Sequence, residues 1–375
     1  MVRKYNLKGI QLDANLVYNM PKGVSPNSEN IYWLHMTAFA VCCVIALVVF
    51  FLIAYCLYYF RQSKGSVSKA FNEHTLLEIT WTVIPFLILI GLAIPATRIL
   101  GQIHDTAASA LTIKVTGYQW KWKYDYIDQN ISFFSFLSTT LDQINGRAPK
   151  NEWYLLEVDN EVVVPVNTKV KLLVTAEDVI HAWWVPELGV KQDAIPGFIN
   201  ENWFYANKIG KYRGQCGEMC GVNHGFMPIV VNVVSQEDFS KWILQKRIEA
   251  QYQQKRVISA ALTTQDIMTN GKKEYERNCA MCHQVDGSGM AHSYPALKAS
   301  RVVTAPIDEA AVYIMRGVPN AAMQPFGKIL DDESLALIIS YIRESWGNDA
   351  IIQHENYQLT VSPLEIKDIR TRYNL

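Results

Sequence analysis

The chain has 375 residues, half of them apolar, and its 35 Lys and Arg are balanced by 35 Asp and Glu. That length holds two or three domains, and zero net charge argues against a nucleic-acid binder. The apolar excess is concentrated before residue 101, which excludes a chain that is soluble throughout. Of the seven cysteines, Cys42, Cys43 and Cys56 lie in an apolar run and read as small hydrophobes. No cysteine spacing suggests a disulfide framework.

Residues 1–30 contain no apolar stretch of the secretory-leader type and form an external N-terminal segment. Ile31 to Phe60 is almost free of charge. As a helix it would extend ~45 Å, more than the ~30 Å of a bilayer's hydrocarbon core. Leu76 to Leu100 is a second span, with Glu78 near its start, Arg98 near its end, and Pro85 and Pro95 inside it. A membrane bundle tolerates such prolines. The loop between the spans carries Arg61, Lys64 and Lys69 against Glu73, so the positive-inside rule places it in the cytoplasm. The N-terminus and everything after residue 100 then lie on the periplasmic, external side.

From residue 111 the pattern has period two. Strands are predicted at 111–116, 153–158, 169–175 and 228–234, and several short strands here predict a β-sandwich or barrel. Residues 127–150 read as a surface loop. Asp238 to Val257 predicts a helix followed by a linker, with a domain boundary near residue 260. Helices are predicted at 264–279, 307–316 and 331–346, the last with Asp331 or Asp332 as N-cap and Gly347 as its stop. Residues 349–375 form a tail with no readable role.

Two strings carry chemistry. The first is Cys216-Gly-Glu-Met-Cys220-Gly-Val-Asn-His224-Gly-Phe-Met227. Thiolate, thioether and imidazole donors together favour copper, and a second thiolate allows both sulfurs to bridge two copper ions. A zinc site and a Cys216–Cys220 disulfide are the alternatives, although a thioether is a poor zinc donor. A second imidazole is needed, and His181 is the best candidate. The second string, Cys279-Ala-Met-Cys282-His283, is a covalent haem attachment signal: the thiols add to the vinyl groups and the adjacent imidazole binds iron. Met323 suits the sixth position, with Met315 and His292 as rivals.

Residues 31–235 resemble subunit II of the haem-copper cytochrome c oxidases. The shared strings are Leu77-Glu-Ile-Thr-Trp81-Thr-Val-Ile-Pro85, Gly117-Tyr-Gln-Trp120-Lys-Trp122, Leu156-Glu-Val-Asp159, Glu177-Asp-Val-Ile-His181, Asp193-Ala-Ile-Pro-Gly197 and the whole loop 216–227. The resemblance implies a two-helix transmembrane hairpin (31–105) and a cupredoxin-like Greek-key β-sandwich (106–236) carrying dinuclear copper, CuA. It implies His181, Cys216, Cys220, His224 and Met227 as copper ligands. Glu218 would offer its carbonyl to copper and its side chain to a magnesium ion shared with subunit I. Trp120 would be where electrons enter, and Glu78 would stand at the mouth of a proton pathway. Plainer readings are a core-facing Trp120 and an interfacial Glu78. The departure is Ala182, where the family usually has Ser.

After a helix and linker (237–262), residues 264–347 resemble a class I cytochrome c, within an all-α domain at 263–348. The fusion resembles the caa-type oxidases. The implied function is the electron-accepting subunit of a proton-pumping terminal oxidase in a bacterial inner membrane. Its implied partners are oxidase subunits I and III, membrane lipid, and cytochrome c or another respiratory donor. The oxygen-reducing site would lie in subunit I. The alternatives are a CuA-bearing subunit of a nitric oxide reductase and a membrane-tethered electron carrier.

Overall fold

A computed structural model describes residues 19–65, 67, 73–259, 262–291, 293–319, 321 and 323–375. Most of the N-terminal segment, Lys69 of the loop, the 260–261 linker and His292 lie outside the described residues. The chain forms two compact units, Met1–Ile243 and Leu244–Leu375.

The first unit opens with two long helices, α1 (Pro26–Tyr59) and α2 (Thr75–Ile103). α1 starts five residues before the predicted span because Ser25 accepts from the Ser28 amide and Pro26 stands in the first turn. Neither apolar span is buried within the protein, as lipid-facing helices require. Both are tied to the domain that follows. The Val24 amide bonds the Glu187 carbonyl, and the Trp203 indole bonds the Gln102 carbonyl at the end of α2.

That domain is a sandwich of two five-stranded sheets. Its strands are β1 (Leu111–Tyr118), β2 (Lys121–Tyr126) and β3 (Ile131–Ser135), then, after the short α3 (Leu141–Ile144), β4 (Val162–Pro165) and β5 (Lys169–Ala176). They continue with β6 (His181–Val185), β7 (Val190–Ala194), β8 (Asn200–Tyr205), β9 (Gly210–Cys216) and β10 (Pro228–Val234). The sheet orders are β3-β2-β1-β5-β8 and β4-β10-β9-β6-β7. β1 runs parallel to β5 and β4 to β10, and the other pairings are antiparallel. Alternate residues Trp122, Tyr124 and Tyr126 of β2 fill the core with Ile113, Leu172, Trp183 and Phe204.

One strand expectation and one loop expectation fail here. Residues 153–158 make turns, closed by Leu156 N to Trp153 O at 2.8 Å, with Leu155 at φ +63°. Only Val158 bridges, to Leu137. The 127–150 insertion is not simply a loop: β3 adds an edge to β2, setting Phe133 opposite Tyr124, and Thr140 with Gln143 caps α3.

α4 (Gln236–Ser259) spans the division between the units, which falls inside the helix rather than near residue 260. The second unit is helical: α5 (Thr264–Asp266), α6 (Lys272–Asn278), α7 (Ala280–His283), α8 (Ile307–Arg316), α9 (Asp332–Glu344), α10 (Asn348–His354) and α11 (Pro363–Tyr373). The predicted 264–279 helix is interrupted by a π segment at Ile267–Gly271. A Cβ on Gly271 would lie 2.7 Å from the Leu337 carbonyl, so glycine lets this segment lie against α9. Asp331 caps α9 as predicted, but the helix stops at Glu344, and Gly347 precedes α10 instead.

The tail is folded. Val361, Ile366 and Ile369 share one core with Ala311, Met315, Leu335 and Ile339. Arg343, wholly buried on α9, donates to the carbonyls of Val303 (2.5 Å), Ala305 (2.7 Å) and Gln358 (2.6 Å), joining the tail to the loop before α8. Arg343→Met should therefore strand several buried carbonyls and cost about 3–5 kcal/mol. A thermal melt of the haem-loaded chain checks this, and an unchanged midpoint for the helical unit would refute it.

Candidate metal centre and haem-attachment site

The copper string spans the end of β9, a turn, and the start of β10. Cys216 ends β9, where Trp183 of β6 pairs with it, and His181 opens β6 on the same sheet. The fold thus delivers a donor 35 positions away in sequence. The Cys216 and Cys220 sulfurs lie 3.8 Å apart as free thiols, which rules out the disulfide in this structure. His181 Nδ1 is 3.9 Å from the Cys216 sulfur, and His224 Nδ1 is 3.5 Å from that of Cys220. The Met227 sulfur stands 3.6 Å from Cys220, and the Glu218 carbonyl 3.4 Å from Cys216. The donor atoms of His181, Cys216 and Cys220 fall within 4.8 Å of one another. Each of the six residues predicted as metal ligands therefore has a donor at this cluster, although the Glu218 side chain itself is exposed.

The electrostatics suit a cation. Hydrogen bonding from Cys220 outweighs burial and draws the Cys216 thiol well below its usual range, while the same contact, together with burial, pushes Cys220 up. Like-charge repulsion disfavours a second thiolate beside the first, and positive charge between the sulfurs relieves it. Burial lowers the His181 pKa, but hydrogen bonds to Asp178 and Cys216 outweigh it and leave it raised. Two close thiols, two imidazoles and a thioether fit copper better than zinc.

Three supporting residues escaped the sequence reading, although all lie in the quoted strings. Asp178 holds His181 Nε2 at 2.9 Å, leaving Nδ1 to face the sulfurs. It also accepts from the Gln119 amide at 2.7 Å. Gly117 and Gly221 allow close approach: a Cβ would meet the His181 ring at 2.8 Å in the first case and the Trp120 ring at 3.0 Å in the second. A glycine beside an aromatic-rich or ligand-rich string was the available signal. Gly117→Ala should push His181 off its position and weaken copper binding about 10–100-fold, the range for disturbed supporting contacts. Copper titration checks it, and parental affinity would contradict the packing argument.

Trp120 packs against the edge of the core that Trp122 fills. It is half-buried in the β1–β2 turn, and its indole donates to the Cys220 carbonyl at 3.1 Å. Trp122, by contrast, is wholly buried, donating to the Met227 carbonyl with its ring edge-on to His181. Glu78 sits in the first turn of α2, where its carboxylate accepts from the His74 amide.

In the helical unit, the His283 amide bonds the Cys279 carbonyl, so one turn of α7 gathers both thiols and the imidazole. Both cysteines are partly buried thiols. His283 Nδ1 is 2.8 Å from the Pro295 carbonyl, which fixes the ring and leaves Nε2 as its available donor. Burial lowers the His283 pKa, favouring the neutral, ligating form. Met323 is partly buried before α9. Its rival Met315 is 1% exposed and sits in the core of α8, as a packing residue does. These features fit a covalently held haem.

Known proteins resemble all three parts of the chain. Residues 13–99 match the family model for the transmembrane domain of cytochrome c oxidase subunit II, and 111–234 that for its periplasmic domain. Residues 266–342 match cytochrome c oxidase, cbb3-type, subunit III. A probable cytochrome c oxidase subunit 2 of Rickettsia prowazekii (strain Madrid E) is 44% identical over 223 residues, 59% of this chain and 70% of that protein. A cytochrome c oxidase subunit 2 of Cyanidium caldarium is 40% identical over 228 residues, 60% of this chain and 89% of that protein. The solved periplasmic domain of subunit II of cytochrome oxidase (CoxB) of Bradyrhizobium japonicum is 44% identical, with 38% of this chain and 98% of that one aligned at a TM-score of 0.35.

Proposed function

This chain belongs to the cytochrome c oxidase subunit II family, and from that premise we propose which of its residues hold the cofactors and admit the electrons. At the family level the chain is the electron-accepting subunit of a terminal oxidase, with a two-span membrane anchor, a periplasmic copper domain and a cytochrome c domain. It associates with subunit I, and the nitric oxide reductase alternative is not favoured by relatives named as cytochrome c oxidases.

His181, Cys216, Cys220, His224 and Met227 hold dinuclear copper, with the Glu218 carbonyl as a further donor. Cys279, Cys282, His283 and Met323 hold haem c. When bound, these groups supply one-electron carriers, and the family's oxygen chemistry belongs to subunit I. The chain's part is to keep the donors fixed during electron transfer. Asp178 orients His181, and Trp122 braces both that ring and the Met227 carbonyl. Trp120 is the site of electron arrival, because its half-exposed indole is hydrogen-bonded to the backbone of a proposed ligand. The exposed Glu218 carboxylate is free to reach a magnesium ion at the boundary with subunit I. Glu78 marks the start of a proton route, subunit III is a further partner, and a cytochrome c or similar respiratory protein is the donor.

The observation that carries this reading is the 3.8 Å pair of free, buried thiols inside a ring of imidazole and thioether donors. Low-temperature EPR of the copper-loaded, haem-loaded chain tests it. One electron shared by two copper nuclei gives about seven hyperfine lines, against about four for a single copper. A four-line spectrum, or intact haem with no copper, would overturn it.

A further inference from the structure

The tail beyond residue 347 is the part that neither the sequence reading nor the cofactor sites explain. We propose that α11 is a brace on the Met323 loop, with Arg370 as the positioning residue that holds this loop closed over the haem. This rests on the reading of Met323 as the sixth ligand.

The contacts converge on one short segment. The Met323 carbonyl, at its start, accepts from the Val318 amide at 2.9 Å. At its other end the Arg370 guanidinium donates to the carbonyls of Gly327 and Leu330, the latter at 3.2 Å. Asp332, in the first turn of α9, anchors the same guanidinium at 2.9 Å. On the opposite side Gly327 lies flat on α8, where a Cβ would come within 3.0 Å of Met315. The loop is thus gripped between α8 and a helix that follows it by more than 30 residues. Ile366 and Ile369 root that helix in the core. Its N-terminus is fixed by a Ser362–Glu365 capping box with Pro363 at the first position.

A guanidinium planted on two carbonyls supplies charge-assisted hydrogen bonds with fixed geometry. Removing it takes away the tie at the loop's far end, so the segment that begins at Met323 can swing about the Val318 contact. The sixth ligand then spends more time away from the iron, and the reduced haem takes up carbon monoxide in proportion to that open fraction. Arg372 provides the control. It ties α11 to Asp308 of α8 at 2.8 Å rather than to the loop. Truncating the tail would be a poor test, because it strips Val361, Ile366 and Ile369 from the core.

The test uses the full haem-loaded chain. It reads carbon monoxide uptake by the reduced form and the far-red absorption band of methionine-ligated ferric haem, in Arg370→Gln, Arg372→Ala and Met323→Ala. Expected is about tenfold greater uptake and a weakened band for Arg370→Gln, with Arg372→Ala near parental. Opening by Met323→Ala with parental behaviour of Arg370→Gln overturns the brace and leaves the ligand assignment standing. Parental uptake and an unchanged band in Met323→Ala overturn the ligand assignment, and the brace with it. Equal opening in Arg370→Gln and Arg372→Ala reduces α11 to general packing and also overturns the brace. If Arg370→Gln does not load haem, Asp332→Asn, which keeps the guanidinium but removes its anchor, is read by the same criteria.

Discussion

Replacing Cys216 with serine is expected to abolish the shared-electron copper signal while haem remains attached. Cys216 stands at the junction of the cluster: its sulfur is 3.8 Å from Cys220, 3.9 Å from His181 Nδ1 and 3.4 Å from the Glu218 carbonyl. A serine hydroxyl is a hard donor with a far higher pKa, and it cannot bridge two soft metal ions. The remaining Cys220, His224 and Met227 still form a sulfur-rich donor set, so a single, weakly held copper is the expected product. Affinity should fall by about a hundredfold or more, since even disturbed supporting contacts cost 10–100-fold. The copper-to-haem ratio and the EPR line count both read the outcome. A persisting multi-line signal would show that Cys216 does not bridge. Because the haem string lies in a separate compact unit, haem attachment serves as an internal measure of the amount of chain, and a thermal melt of the sandwich domain checks that the variant folds.

The contrast between Cys216 and His181 shows what a sequence can carry. The loop 216–227 is local, so its donors could be read from spacing alone. His181 reaches the cluster only because β6 pairs with β9, a contact between strands separated by two others in the chain. It became a candidate because an imidazole was missing and because its string resembled the family's. Asp178 and Gly117 were in view but unread, since their roles depend on a ring orientation and a close approach that exist only after folding.

The tail shows a different limit. Its helix had a start signal in Ser362-Pro-Leu-Glu365 and apolar residues at 361, 366 and 369. The signal was masked by the polar run Lys367-Asp-Ile-Arg-Thr-Arg372, and Gly347 looked like a final stop. Arg370 and Arg343 act on backbone carbonyls, which carry no sequence identity, so no pattern could have revealed their partners. The false strand at 153–158 has a related cause. Its apolar residues are real, but Leu155 takes a positive φ and the segment turns before any ladder forms.

Met323→Ala is expected to leave haem attached and lower its midpoint potential by about 100–300 mV, within the span that axial ligands control. In the proposed assignment attachment depends on Cys279, Cys282 and His283, which one turn of α7 gathers. The loop holding Met323 is separately secured by Val318 and Arg370, so losing one side chain should not unfold it. A thioether favours the reduced iron, and water or an empty position favours it less, so the sign of the shift is downward. At about 59 mV per tenfold for one electron, a 200 mV drop changes the reduction equilibrium by roughly three decades. A potential that low would leave the haem oxidised beside a donor that normally reduces it, and oxidase turnover would fall even with the copper site intact. Potentiometric titration of the parent and variant decides the matter. An unchanged potential would assign the sixth position to another residue, with His292 the first to test, because Met315 is committed to the core of α8.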